Sequence, residues 1–136
     1  MQKDSYTILV VEDERPLLEA IKIKLEAHGI ETVTCRSVVQ ALSYLEDIHT
    51  IHAIWLDHYL IGKESGLDLV SQIKKESSQY RSVPIFVVSN TASNEKVSAY
   101  MQFGIEKYYV KSNYRLDDIV LDIKEKLTDT SNSASE

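Results

Sequence analysis

With a single cysteine, Cys35, the chain can form no internal disulfide, and a reducing cytoplasm fits. No apolar run reaches membrane-spanning length, and no signal-peptide pattern follows Met1, so no membrane partner is expected. A basic surplus is missing too. Against 15 Lys and Arg stand 21 Asp and Glu, a formal charge of -6. A nucleic-acid surface needs a basic stripe, so direct nucleic-acid binding is not expected. There is no internal repeat. The one low-complexity stretch is "TDTSNSASE", Thr128 to Glu136, which is polar, has no apolar face and predicts a disordered tail. What remains is ordinary for a globular protein: 43% hydrophobic and 26% charged residues in 136. That length supports one domain with a real core and not two, here residues 4–127 ahead of a tail at 128–136.

Five short apolar runs, rich in β-branched or aromatic residues, alternate with five helical patterns. The runs are Thr7–Val11, Glu31–Cys35, Ala53–Leu56, Pro84–Val88 and Lys107–Val110. Between the first two, Leu17, Leu18, Ile21 and Leu25 recur at helical spacing, with Pro16 suited to the first turn and Gly29 to the stop. Ser37 can cap a second helix, and Ser93 or Asn94 a fourth that stops at Gly104. Asp117 and Asp118 suit the positive end of the last helix, which ends its apolar face at Leu127. This alternation predicts right-handed βαβ units around a parallel sheet. In such open sheets, ligands bind at the carboxyl ends of the strands.

Those ends are acidic. "ILVVEDE" runs from Ile8 into Glu12, Asp13 and Glu14, and "HAIWLDHYL" carries its strand into Asp57. If the first and third strands are neighbours, three carboxylates meet at one rim, where they repel unless a cation relieves them. Mg²⁺ suits such a site, because it needs only one or two protein carboxylates beside waters and phosphate oxygens. Asp57 is then either a ligand or a nucleophile that forms an aspartyl-phosphate. "PIFVVSN" adds the Ser89 hydroxyl and "KYYVKS" the Lys111 ammonium, both suited to a phosphoryl oxygen. Singly, each residue reads as a helix cap or a solvated group. The order acid pair, acid, hydroxyl, lysine, each at a strand end, is the specific signal.

The stretches "ILVVEDE", "IWLDHYL", "SGLDLV", "VPIFVVSN" and "FGIEKYYVKS" resemble the receiver domain of bacterial two-component response regulators, from about Tyr6 to Leu127. The resemblance implies a flavodoxin-like, doubly wound (βα)5 fold with sheet order 2-1-3-4-5. It implies that Asp57 accepts phosphate from a partner histidine kinase or phosphotransfer protein and so controls a downstream protein. It further implies that Glu12, Asp13, Asp57 and the backbone carbonyl of Tyr59 hold Mg²⁺, with Mn²⁺ as a substitute. Ser89, Lys111 and the backbone of Asn90 would bind the phosphoryl group, and Tyr108 would turn inward as Ser89 moves. The sequence departs from the family's pattern at Glu12, commonly Asp, and at Asn90, often a small residue. The loop after Asp57 is one residue longer and lacks its usual proline. Ser112 replaces the proline that follows the lysine, and aiming Lys111 at Asp57 is expected to keep the Lys111–Ser112 bond cis all the same.

Other readings compete. A phosphohydrolase similar to haloacid-dehalogenase enzymes needs a second acid two residues after the nucleophile, and Tyr59 stands there. A receiver-like interaction module that works without phosphorylation has no need of Asp57 and Lys111. The favoured reading is a signalling switch that supports only its own phosphorylation and dephosphorylation, either standing alone or cut from a longer chain. His28, His49, His52 and His58 show no metal-ligand spacing, and His49 and His52 are expected in a surface loop. "GKES" at Gly62 lacks the earlier glycine of a phosphate loop. Trp55 is expected to pack in the core near the site.

Overall fold

A computed structural model of the chain describes residues 5–48, 50–91 and 93–135. The strands are β1 (Thr7–Val11), β2 (Glu31–Cys35), β3 (Ala53–Leu56), β4 (Ile85–Ser89) and β5 (Lys107–Val110). The helices are α1 (Arg15–Ala27), α2 (Val38–Asp47), α3 (Gly66–Ile73), α4 (Asn94–Gln102) and α5 (Leu116–Ser135). All strand pairs are parallel, in the order β2-β1-β3-β4-β5. This is the doubly wound flavodoxin-like sheet.

Side chains alternate across the strands and divide between two apolar layers. Leu9, Val11, Ile54, Leu56, Ile85 and Val87 face α2, α3 and α4. Ile8, Val10, Trp55, Phe86, Val88 and Tyr109 face α1 and α5. Burial on both faces explains why the central strands read as unbroken apolar runs. Trp55 is fully buried, and its indole N–H has no acceptor among the described residues.

Local chemistry sets the helix ends. Ser37 Oγ accepts from Gln40 N at 3.1 Å and Ser93 Oγ accepts from Lys96 N at 3.3 Å. Gly29 and Gly104 close α1 and α4 at φ 77° and 81°, which side chains with a Cβ rarely adopt.

Three boundaries differ from the sequence reading. β4 starts at Ile85 because Pro84 has no N–H for a ladder, although its carbonyl accepts from Ile54 N at 3.0 Å. The far end gains Ser89, paired with Val110. α5 continues as helix to Ser135, where a disordered tail is expected from Thr128. Leu127, 4% exposed, is its last core residue among those whose burial is described, and Thr128 Oγ1 donates to Lys124 O at 2.9 Å. Once nucleated by a packed face, a helix extends at one backbone hydrogen bond per residue. Among the described residues no helix is long and apolar enough to cross a membrane.

Candidate functional site

Register builds the site. β1 lies between β2 and β3, with Val11 opposite Leu56. The next residue on each strand is therefore an acid, Glu12 beside Asp57. Asp57 N donates to Val11 O and Glu12 N to Cys35 O, both at 3.0 Å, so backbone bonds hold both acids at the rim. Arg36 fixes the following loop: Nε and Nη2 both donate to Asp13 O, at 3.0 and 2.8 Å.

Glu12, Asp13 and Asp57 each bring a carboxylate oxygen to within 4.8 Å of the others. Glu12 is fully buried and Asp57 is 4% exposed. Lys111, at the end of β5, reaches into them. Its ammonium lies 3.1 Å from Glu12 Oε1 and 3.6 Å from both Asp57 Oδ2 and Glu14 Oε1. Glu12 Oε2 accepts from Glu14 N at 3.1 Å. Glu12 Oε1 is close enough to Lys111 for an ion pair but lacks hydrogen-bond geometry, so it has no donor among the described residues. A buried carboxylate oxygen without a donor, with two further carboxylates in reach, is a donor set suited to a hard divalent cation.

The electrostatics agree. Burial, aided by the Asp57 charge, pushes the Glu12 carboxyl up to about 7, against the pull of Glu14 N–H and Lys111. Burial also raises Asp57, although Lys111 and His58 N–H oppose it. Burial disfavours the Lys111 charge, but Asp57, Glu12 and Glu14 outweigh it and leave that group raised. A folded state that holds the Glu12 proton to higher pH than the unfolded chain loses stability as pH rises from about 4.5 to 7. His58, lowered by burial, works with the opposite sign in part of that window. A comparison with Glu12→Gln isolates the glutamate. In chelator, the parent is expected to lose stability relative to Glu12→Gln between about pH 5 and 7, by at most about 1.4 kcal/mol per pH unit. Urea melts across that range check it, and a pH-independent difference rejects it.

The other predicted residues fall around this centre. Ser89 is fully buried at the end of β4, and its Oγ accepts from Thr91 N at 3.4 Å. Asn90 is exposed on the same rim. Tyr108 is half-buried, and its hydroxyl donates to Thr91 O at 2.8 Å. Tyr59 follows Asp57 by two residues and is 54% exposed, with the Lys96 ammonium 5.9 Å from its ring centroid. His52 is not a plain surface residue, because its Nδ1 accepts from Thr7 N at 3.0 Å. His49 lies outside the described residues.

One expectation is corrected. No peptide bond among the described residues is cis, so Lys111–Ser112 is trans. Without proline a cis bond costs about 3–4 kcal/mol. A 3-10 turn at Lys111–Asn113 redirects the chain instead, and Lys111 still reaches Asp57.

Several contributors carry no local signal. Arg36 lies outside every motif, and Gly66 sits in "SGLDLV" with no local sign of its close packing against Asp57 and Tyr100. His58 and Tyr100 are 42 residues apart yet 2.6 Å apart in space. Tyr100 falls in the helical pattern ahead of Gly104, which holds no signal of its partner.

Comparison with known proteins matches residues 8–124 to the model of the response regulator receiver domain. The chain belongs to that family. Among its relatives is the two-component response regulator ORR13 of Oryza sativa subsp. japonica, 28% identical over 104 residues, covering 76% of this chain and 84% of the relative. Solved structures of the same fold include the phosphorylated cyanobacterial phytochrome response regulator RcpA, with TM-score 0.82 and 24% identity, covering 93% of this chain and 96% of that one. They also include the Mn(2+)-bound form of response regulator Rcp1, with TM-score 0.76 and 22% identity, covering 88% and 91%. Receiver domains act in two-component signalling, generally as switches that meet kinases or phosphotransfer proteins and not as turnover enzymes. The acidic pocket of this receiver domain is the part of the fold suited to a divalent metal.

Proposed function

We propose that this receiver domain is a phosphoacceptor switch of the cytoplasm, with Asp57 as the phosphorylated residue. The observation that carries the reading is the meeting of Glu12, Asp13, Asp57 and Lys111 at one strand-end rim. In the transfer, one Asp57 carboxylate oxygen forms a bond to phosphorus. The bond from phosphorus to the donor's imidazole nitrogen breaks, and that nitrogen keeps the electron pair and regains a proton from solvent. Phosphoryl transfer of this kind depends mainly on positioning and neutralisation of charge.

Each side chain has a task there. Asp57 is held for attack by its backbone bond to Val11 and by His58 N, which donates to Oδ1 at 2.8 Å. Lys111 neutralises charge on the transferred group, and Ser89 Oγ with the backbone of Asn90 orients its oxygens. Glu12, Asp13, Asp57 and the Tyr59 carbonyl would hold Mg²⁺, or Mn²⁺ in its place, which supplies positive charge to phosphoryl oxygens when bound. Ser89 and Tyr108 then bias the packing of α4, β5 and α5, the surface that a downstream protein reads. The donor is a histidine kinase or phosphotransfer protein.

Acetyl phosphate with Mg²⁺ is expected to give an acid-stable, base-labile adduct on the parent, abolished by Asp57→Asn and by chelator. Mass spectrometry of the peptide that carries Asp57 reads it. A parent that takes no label, or a variant that labels as the parent does, rejects the phosphoacceptor reading. Retained binding to a partner without any label would instead favour an interaction module.

A further inference from the structure

Below the acid pocket, two polar side chains meet inside an apolar layer. His58, in the loop after β3, is 7% exposed, and Tyr100 on α4 is fully buried. His58 Nδ1 lies 2.6 Å from the Tyr100 hydroxyl oxygen. Each group alone would lose its hydration without compensation, and this contact is what satisfies both. Burial, with help from the Lys96 ammonium, lowers the imidazole, against the Asp68 carboxylate. Burial pushes the Tyr100 hydroxyl far above its ordinary range. The contact is a single hydrogen bond whose donor depends on the imidazole tautomer.

The room for this contact comes from Gly66, the first residue of α3. A Cβ there would lie 2.7 Å from the Tyr100 hydroxyl oxygen and 2.5 Å from Asp57 O. The His58 ring also stands edge-on to Tyr59, centroids 4.7 Å apart, and edge-on to Tyr100, 5.7 Å apart. It has little freedom to turn without moving one of them.

The same residue is tied to the reaction centre. His58 N donates to Asp57 Oδ1 at 2.8 Å. On the other side, the Tyr100 ring lies 5.7 Å from that of Tyr108, whose hydroxyl bonds Thr91 O ahead of α4. Asp57 thus reaches the last turn of α4 through His58 and Tyr100, by a route separate from Ser89 and the strand end.

We propose that His58 is a positioning residue that couples the phosphorylation state of Asp57 to the placement of α4 through its hydrogen bond to Tyr100. The inference rests on the phosphoacceptor reading above. Phosphorylation converts a free carboxylate into an acyl phosphate and moves its negative charge to the phosphoryl oxygens. The hydrogen bond from His58 N to Oδ1 weakens, and the loop shifts. Packed interiors answer in discrete steps, so the ring either keeps Tyr100 or lets it go, and α4 follows.

The test uses the full chain as the parent, Tyr100→Phe and His58→Leu. Acetyl phosphate labelling of Asp57 is measured for each. So are amide shift changes on adding beryllofluoride with Mg²⁺, over α4 and over the pocket residues around Asp57. The parent and Tyr100→Phe are expected to label, and His58→Leu is read for the ratio of responses. The ratio of α4 response to pocket response is expected to fall about fivefold in both variants. A purely structural hydrogen bond lowers their melting midpoints but leaves that ratio at the parent's value, and this result overturns the coupling. Tyr100→Phe removes a single oxygen, so it keeps the test open if His58→Leu does not fold. A parent that neither labels nor responds rejects the phosphoacceptor reading and the coupling together. A parent that labels beside variants with an unchanged ratio rejects the coupling alone.

Discussion

Gly66→Ala is expected to destabilise the receiver domain by about 3 kcal/mol, because the new methyl has nowhere to go. Its Cβ would meet Asp57 O at 2.5 Å, the Tyr100 hydroxyl oxygen at 2.7 Å and His58 Cα at 3.1 Å. Two of the three atoms are backbone at the end of β3, the most enclosed strand of the sheet. The local chain cannot slide away either, since Gly66 N donates to His58 O at 2.9 Å. The ordinary preference for alanine over glycine in a helix favours the variant by only about 1 kcal/mol, too little to offset the clash. Adding Tyr100→Phe removes one clashing atom and is expected to recover part of the loss. Urea melts measure both. A cost below about 1 kcal/mol for Gly66→Ala would show that α3 is free to shift, and the close approach would then have no energetic meaning.

Lys111→Met and Asp57→Asn are expected to change stability in opposite directions when no divalent cation is present. Among the described residues, Lys111 is the cation within reach of Glu12, Asp57 and Glu14. Its side chain is 15% exposed and those of Glu12 and Asp57 are 0% and 5%, so solvent screens these pairs only weakly. Removing the ammonium leaves two buried carboxylates without a counter-charge. A loss of about 3 kcal/mol is expected in chelator at neutral pH, at the lower edge of the range for breaking a buried pair. Asp57→Asn keeps the shape and removes one of the charges that burial disfavours, so a gain of about 1 kcal/mol is expected. Millimolar Mg²⁺ binds only the folded site and stabilises the parent by mass action, whereas Asp57→Asn gains less because it lacks a ligand. The melts are run in chelator and in Mg²⁺. Equal signs for the two variants in chelator would mean that the acids are solvated, and the charge balance described for the pocket would fail.

Much of this was legible in the linear chain, and for a definite physical reason. A parallel sheet covered on both faces demands unbroken apolar central strands, so β1 and β3 stand out with their full bounds, whereas the edge strands β2 and β5 are marked by β-branched and aromatic residues. Backbone chemistry marks the helix ends at Ser37, Ser93, Gly29 and Gly104, because capping and positive φ are local properties. Glu12, Asp13, Asp57, Ser89 and Lys111 are visible for a related reason: a charge or hydroxyl that ends an apolar run breaks the pattern around it. Local signals reach only as far as neighbouring residues, and the rest depends on which segments meet. Pairing of β1 with β3 puts Glu12 beside Asp57, and the swing of Lys111 into both acids on a trans bond depends on a turn after β5. Nothing local to Arg36 signals the fork that it places on the Asp13 carbonyl. His58 and Tyr100 lie 42 positions apart, on a loop and a helix with separate periodicities, so no spacing links them. Their contact exists because α3 begins on a residue without a side chain, and that requirement arises only when three segments pack into one place.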